Sequence, residues 1–221
     1  MKVDLSLYVL VDPAQADDRA LAEIAALAVR GGATLIQLRN KTGTTRELVE
    51  QACAIKEALA GTGVPLLVND RVDVALAASA DGVHLGRDDL DARVARRLLG
   101  PKAIIGSTVR SDADVAALAP GAIDYACIGG VFATKSKDNP DPPIGVDGFS
   151  RLARLTRERA PQMPVGAIAG IDEKNTADVI GAGADGIAVV SAVISARDPE
   201  AEARKLRRIV DAAKAQRGAA V

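Results

Sequence analysis

Gly32-Ala33-Thr34-Leu35-Ile36-Gln37-Leu38-Arg39-Asn40-Lys41 is an apolar run that breaks off into polar and basic residues. The segment from Ala33 to Leu38 lacks the polar alternation of a half-exposed strand, so it reads as a parallel strand covered on both faces. Arg39 and Lys41 then fall just past its carboxyl end, together with Gln37. Open α/β sheets and α/β barrels place their ligands at that end of the strands. Two cations there predict an anionic guest, with phosphate the first candidate. Solvation of a loop is the plainer role for the same two side chains.

The pattern repeats outward from this strand. Strand-like runs are predicted near 5–11, 34–38, 65–68, 82–85, 103–107, 124–128, 164–168 and 185–190, and helical stretches near 15–30, 44–60, 71–79, 90–99, 112–119, 147–159, 173–181 and 199–216. Eight βα units in this length predict an α/β protein with a single eight-stranded (β/α)8 TIM barrel spanning 1–221 as one domain. Thr44 with Glu47 forms a capping-box signature for the second helix, and Pro199 after Asp198 suits a first helical turn. Small residues followed by Thr or Asp recur before strands, at Gly32-Ala33-Thr34, Ala80-Asp81-Gly82, Gly121-Ala122-Ile123-Asp124 and Gly183-Ala184-Asp185-Gly186. They mark alternate strands at the bottom of the barrel, which predicts a structural device repeated four times.

Composition narrows the partners. The net charge of -1 supplies no field for nucleic acid or an anionic membrane, and 2% aromatic residues leave no base-stacking surface. No apolar run approaches the roughly 20 residues of a membrane span. Met1-Lys2-Val3-Asp4 leads directly into a strand without the layout of a signal peptide, and Cys53 and Cys127 stand far apart without metal-ligand spacing. The expectation is a cytoplasmic enzyme with reduced thiols that acts on small phosphorylated molecules. A homo-oligomer is compatible with the sequence, which does not fix the assembly.

Chemically loaded residues collect at the predicted carboxyl ends of neighbouring strands. Asn69-Asp70 follow strand three, His84-Leu85-Gly86-Arg87-Asp88-Asp89 strand four, Ser107-Thr108 strand five and Thr134-Lys135-Ser136-Lys137 strand six. Ala169-Gly170-Ile171 and Val190-Ser191 follow strands seven and eight. Each has an ordinary role in reserve: Asn69-Asp70 and Asp88-Asp89 as helix caps, Gly170 and Ser191 as turn residues, His84 as a satisfied core histidine. Jointly they divide into two tasks. Carboxylates on strands three and four suit Mg²⁺, which takes one or two carboxylates plus phosphate oxygens. Arg39, Lys41 and Lys137 could clamp a diphosphate, while the loops holding Gly170 and Ser191 occupy the usual barrel phosphate site. A magnesium diphosphate and a monophosphate in one barrel mouth predict a transferase joining two phosphorylated molecules. The proline-rich connection from Phe132 to Val146 is the natural active-site lid.

These residues resemble the thiamine-phosphate synthase family. Gln37-Leu38-Arg39-Asn40-Lys41, Val68-Asn69-Asp70, Asp81 to Gly86 with Asp88-Asp89, Thr134-Lys135-Ser136-Lys137, and Gly183 to Gly186 running into Ser191 carry the likeness, in order over about residues 5 to 210. The resemblance implies coupling of 4-amino-5-hydroxymethyl-2-methylpyrimidine diphosphate to a thiazole phosphate, plain or carboxylated, with release of pyrophosphate. It implies that Gln37, Arg39, Lys41, Asn69 and Lys137 hold the pyrimidine diphosphate, with Asn40 and Lys135 in the same segments. Asp70 and Asp89 would bind Mg²⁺, and Thr134, Ser136, Gly170, Val190 and Ser191 would receive the thiazole phosphate. Arg39, Lys41, Lys137 and Thr108 would carry catalysis, by stabilising a leaving group rather than by nucleophilic attack.

The chain departs from the family pattern in three places, one of them the middle of the strand-six loop, where Lys135 and an insert-like Asp138-Asn139-Pro140-Asp141 stretch stand. Ser107-Thr108-Val109-Arg110 replaces a Ser-Thr-His-like sequence, leaving Thr108 or its neighbour Ser107 as the active hydroxyl. Ala169-Gly170 replaces paired glycines, adding a methyl to the phosphate loop. The alternatives are a thiazole tautomerase or regulatory thiazole-phosphate binder of the sister group, and a sugar-phosphate isomerase. The first needs no magnesium diphosphate site, and the second needs an acid–base pair that the sequence does not offer.

Overall fold

The computed structural model describes residues 3–134 and 142–219. Eight parallel strands follow one another around a closed barrel: β1 (Leu7–Val11), β2 (Leu35–Leu38), β3 (Leu66–Asn69), β4 (Gly82–Leu85), β5 (Ile104–Val109), β6 (Tyr125–Ile128), β7 (Val165–Ile168) and β8 (Gly186–Val189). β8 returns to β1 through pairs such as Tyr8↔Ala188, so no strand edge is left open. The outer ring comprises α1 (Leu21–Arg30), α2 (Thr45–Ala58), α3 (Val72–Ala77), α4 (Ala92–Leu99), α5 (Asp112–Ala117), α6 (Gly145–Arg159), α7 (Thr176–Gly181), α8 (Ser191–Ile194) and α9 (Pro199–Ala219). The eight predicted strands and the eight predicted helices are all present.

Two local differences have physical causes. The first helix begins at Leu21 rather than near 15, because Asp17 and Asp18 adopt φ of +48° and +59°, left-handed backbone that a right-handed helix cannot contain. The short α8 was not expected at all, since four residues carry no readable periodicity. The predicted caps are found. Thr44 and Glu47 make both bonds of a capping box, and α9 starts at Pro199 with Asp198 accepting from the Ala201 N–H.

The repeated Thr/Asp signature closes the bottom of the barrel. The Asp81, Asp124 and Asp185 carboxylates accept from the amides of Leu66, Ile105 and Val165, near the starts of β3, β5 and β7, at 2.8, 2.7 and 2.8 Å. Thr34 Oγ1 does the same for Leu7 at 3.1 Å. Each aspartate also meets a cation from the ring: Lys56, Arg96 and Arg157, from α2, α4 and α6. Even-numbered strands thus satisfy the amides that begin odd-numbered ones, and the helices lock on through charge.

One large apolar shell lies between barrel and helices; a second, smaller cluster fills the interior. That interior contains both tyrosines of the chain, Tyr8 and Tyr125, each almost wholly buried. Gly106 makes room for them, because a Cβ there would lie 2.0 Å from the Tyr125 ring. Bulk at the bottom and polar tips above give the mouth a shaped floor.

Candidate active site

Two adjoining cavities open at the carboxyl ends of the strands. The deeper, of about 110 Å³, has Tyr8, Leu10, Gln37, Cys127 and Ile168 on its walls and reaches Thr134, Ala169 and Val190. The outer, of about 330 Å³, is bounded by Lys41, Asp70, Asp88, Asp89, Gly86, Arg87 and Asp114. Arg39, Asn69, His84, Thr108 and Arg110 line both and form the wall between them.

The inner floor is a row of polar side chains on successive strands. Gln37, only 1% exposed, donates through Nε2 to Tyr8 Oη, while its Oε1 is buried without a partner among the described residues. Tyr8 Oη lies 2.9 Å from Tyr125 Oη, which lies 2.8 Å from His84 Nδ1, and His84 Nε2 lies 2.9 Å from Thr108 Oγ1. Burial pushes both phenols far above their ordinary pKa, so they remain protonated. Asn69 Nδ2 is a second buried atom without a partner among the described residues. Unsatisfied polar atoms of this kind are costly in a core but are what a ligand cavity requires.

The outer cavity concentrates charge. Arg39 is held by the nearly buried Asp12, which follows β1. Lys41 pairs with Asp70, the end of the turn after β3 with φ of +63°. Asp89 accepts from the Gly86 N–H at 2.6 Å. Burial, and then a hydrogen bond with Asp70, raise the Asp89 pKa above the ordinary carboxylate value, against the pull of Gly86 and Lys41. Two carboxyls forced together in this way form a local excess of negative charge beside Lys41, Arg39 and Arg110. At the far side, Ala169 and Gly170 both have positive φ, +93° and +64°, and a Cβ on Gly170 would fall 2.3 Å from the Ala133 carbonyl oxygen.

The predicted residues sort accordingly. Gln37, Arg39, Asn69, Thr108, Thr134 and Val190 line the inner cavity; Lys41, Asp70 and Asp89 line the outer one. Thr108 faces both cavities and Ser107 neither, as expected of adjacent positions on a strand. Asn40 borders neither: its side chain bonds Gln51 and accepts from the Thr42 and Gly43 amides, which shapes the loop that presents Lys41. Gly170 and Ser191 line neither cavity, although their neighbours Ala169 and Val190 line the inner one; Ser191 is the exposed first residue of α8. Lys135, Ser136 and Lys137, with the middle of the expected lid, lie outside the described residues. His84 is satisfied, as a core histidine should be, yet it forms part of both cavities.

Sequence reading missed Tyr8, Tyr125, Asp12 and Arg110. A signal existed for Arg110, two residues beyond Thr108 and therefore on the same strand face. Asp12 caps the turn that follows β1 through the Ala14 N–H at 3.0 Å, and nothing in its spacing signals the contact with Arg39.

Comparison with known proteins agrees with this geometry. A family model described as thiamine monophosphate synthase matches residues 7–193. The chain is 56% identical over 212 residues to a thiamine-phosphate synthase of Agrobacterium fabrum, covering 96% of both chains. It is 45% identical over 208 residues to that of Albidiferax ferrireducens, covering 94% of this chain and 93% of the relative. Among solved structures, a thiamine phosphate pyrophosphorylase from Pyrococcus furiosus superposes with a TM-score of 0.82 at 35% identity, covering 96% of this chain and 98% of that one. The chain belongs to the thiamine monophosphate synthase family.

Proposed function

We propose that this barrel mouth joins 4-amino-5-hydroxymethyl-2-methylpyrimidine diphosphate to a thiazole phosphate, releasing pyrophosphate and forming thiamine phosphate. The observation that carries the reading is the junction of the two cavities. A buried floor with unpartnered amide atoms suits a heteroaromatic ring, and it opens directly onto a chamber of cations and paired carboxylates suited to a diphosphate.

In this reading Gln37 and Asn69 orient the pyrimidine, and Thr108 meets it from the opposite wall. Arg39, Lys41 and Arg110 neutralise the diphosphate, with Asp12 keeping Arg39 in place. Thr134, Ala169 and Val190 border the space left for the thiazole partner, with the Gly170 and Ser191 loops adjoining them. Lys135, Ser136 and Lys137 complete the proposed binding set by sequence. Departure of pyrophosphate takes the C–O bonding pair and leaves a pyrimidinylmethyl cation, which the ring amino group stabilises. The thiazole nitrogen lone pair then forms the C–N bond, so the chain supplies no nucleophile. Its work is to bind the two rings in line, exclude water from the cation and stabilise charge on the leaving group.

Asp70 and Asp89 fit a magnesium ion. Their carboxyls are forced together, and among the described residues no group of three or more His, Cys, Asp or Glu forms a protein-only cage. A two-carboxylate site completed by water and phosphate oxygens is the Mg²⁺ preference. Bound there, Mg²⁺ would offset the charge of departing pyrophosphate.

We place the enzyme in the cytoplasm, without nucleic-acid partners. Two free cysteines and the near-neutral charge support this, and among the described residues no helix is long and apolar enough to cross a membrane. The test is to incubate the purified protein with both substrates and Mg²⁺ and to follow thiamine phosphate by mass spectrometry. Product that disappears with EDTA is expected. Retained thiazole-phosphate binding without product would point instead to a tautomerase or a sensor.

A further inference from the structure

We propose that Tyr8, Tyr125 and His84 are positioning residues: they form a one-way hydrogen-bond chain that fixes together which atoms Gln37 and Thr108 present, and so selects a 4-aminopyrimidine over its 4-oxo counterpart. The inference deepens the proposed function and rests on the pyrimidine occupying the inner cavity.

The chain runs Gln37 Nε2, Tyr8 Oη, Tyr125 Oη, His84 Nδ1, His84 Nε2, Thr108 Oγ1, with the last three contacts at 2.9, 2.8 and 2.9 Å. Each phenol has one hydrogen, and each lies between two partners. A neutral imidazole has one N–H for its two nitrogens. The direction of one bond therefore sets all the others. Gln37 Nε2 can only donate, so Tyr8 accepts there and directs its single hydrogen to Tyr125, the other partner of its Oη. Tyr125 in turn donates to His84 Nδ1, which leaves the imidazole hydrogen on Nε2, facing Thr108. Thr108 Oγ1 accepts there and turns its own hydrogen toward the cavity. Burial keeps both phenols protonated, so neither of these middle links loses its hydrogen by ionisation.

The outcome is a cavity with an acceptor at one end, the buried and unpartnered Gln37 Oε1, and a hydroxyl donor at the other. A 4-aminopyrimidine offers the complement, an amino N–H and a ring-nitrogen lone pair. The 4-oxo ring offers a carbonyl oxygen where the amino group would be, opposite the Gln37 acceptor. Accommodating it would require reversal of the whole chain, with rotation of the Gln37 amide and a change of tautomer at His84. Sites that hydrogen-bond a specific group reject analogues lacking it far better than apolar pockets do. Gly106 belongs to the device, since any side chain there would meet the Tyr125 ring.

The chain contains a single histidine, so its imidazole nitrogens give one unambiguous NMR signature. The first measurement is the His84 tautomer by ¹⁵N–¹H correlation in the wild-type protein. Hydrogen on Nε2 with Nδ1 as an acceptor is expected; hydrogen on Nδ1, or on both nitrogens, would overturn the proposal. The second is affinity for the 4-amino and 4-oxo pyrimidine diphosphates, measured by calorimetry without thiazole phosphate, in wild type and in Tyr125→Phe. The variant should lose at least tenfold of the amino-over-oxo preference and show mixed His84 tautomers. An unchanged preference would overturn the proposal. Should Tyr125→Phe fail to fold, Tyr8→Phe breaks the same chain one link away and is read the same way. Failure of thiamine phosphate synthesis would refute the proposed function, whereas a wrong tautomer in an active synthase would refute only the hydrogen-bond chain.

Discussion

Ala169 holds φ = +93°, a backbone conformation that L side chains rarely adopt, next to Gly170 at +64°. Holding alanine there costs about 1 kcal/mol or more, and glycine removes the conflict. Ala169→Gly is expected to raise stability by about 1 kcal/mol in denaturant unfolding; an unchanged or lower midpoint would show that the methyl contributes compensating contacts. The cysteines give a second prediction at this scale. Cys127 is buried and its thiol is pushed up to about 12, whereas Cys53 is exposed. The thiolate is the reactive form. A disulfide-exchange reagent at neutral pH should therefore titrate one thiol in the native chain and two after denaturation. Two fast thiols in the native state would contradict the buried placement. The charged residues of the site were legible in the sequence, because Arg39, Lys41, Asp70 and Asp89 interrupt apolar strands at their ends. Tyr8 and Tyr125 were not. A strand buried on both faces lacks the polar alternation that tells interior from exterior, and a tyrosine in it reads as one more apolar residue.

At the scale of elements, two devices make testable claims. Asp124 joins β5, β6 and α4 by accepting from the Ile105 N–H and pairing with Arg96. Asp124→Ala would leave that amide and guanidinium without their acceptor, at about 1–3 kcal/mol, seen as a lower unfolding midpoint with little change in KM. An effect confined to catalysis would contradict the structural assignment. Asp114 closes the capping box of α5 with Ser111 and also pairs with Arg87. Burial alone would raise its pKa, but hydrogen bonds from Arg87, the Arg110 N–H and Ser111 bring the folded value below the ordinary 3.8. A carboxyl lowered by folding stabilises at pH above its unfolded value, and that contribution is lost as pH falls through the lowered folded value. The stability gap between wild type and Asp114→Asn should accordingly be constant near neutrality and close on acidification below about pH 4. A gap that stays constant into acid would refute the assignment. The Thr/Asp signature behind the first device was visible in sequence because it recurs on alternate strands, whereas α8 was too short to show a period.

The whole molecule was the easiest level to read. Eight apolar runs alternating with capped helices admit few arrangements, and sequential strands with right-handed crossovers close into this barrel. Closure is also what builds the site, since it brings Gln37, Asn69, His84 and Thr108 from four strands to one floor and places Asp70 and Asp89 beside Lys41. The contact of Tyr8 with Tyr125 across the barrel, and that of Asp12 with Arg39 between neighbouring strands, depend on stagger and side-chain reach that linear spacing does not encode. In the proposed function the paired carboxylates and their neighbouring cations drive departure of pyrophosphate. Asp70→Asn tests it most directly, because asparagine tolerates the left-handed backbone at φ = +63° while losing the charge. Measured as thiamine phosphate formed per second at saturating substrates and Mg²⁺, turnover should fall at least about a hundredfold with the unfolding midpoint retained. Near-normal turnover in that variant would contradict the account.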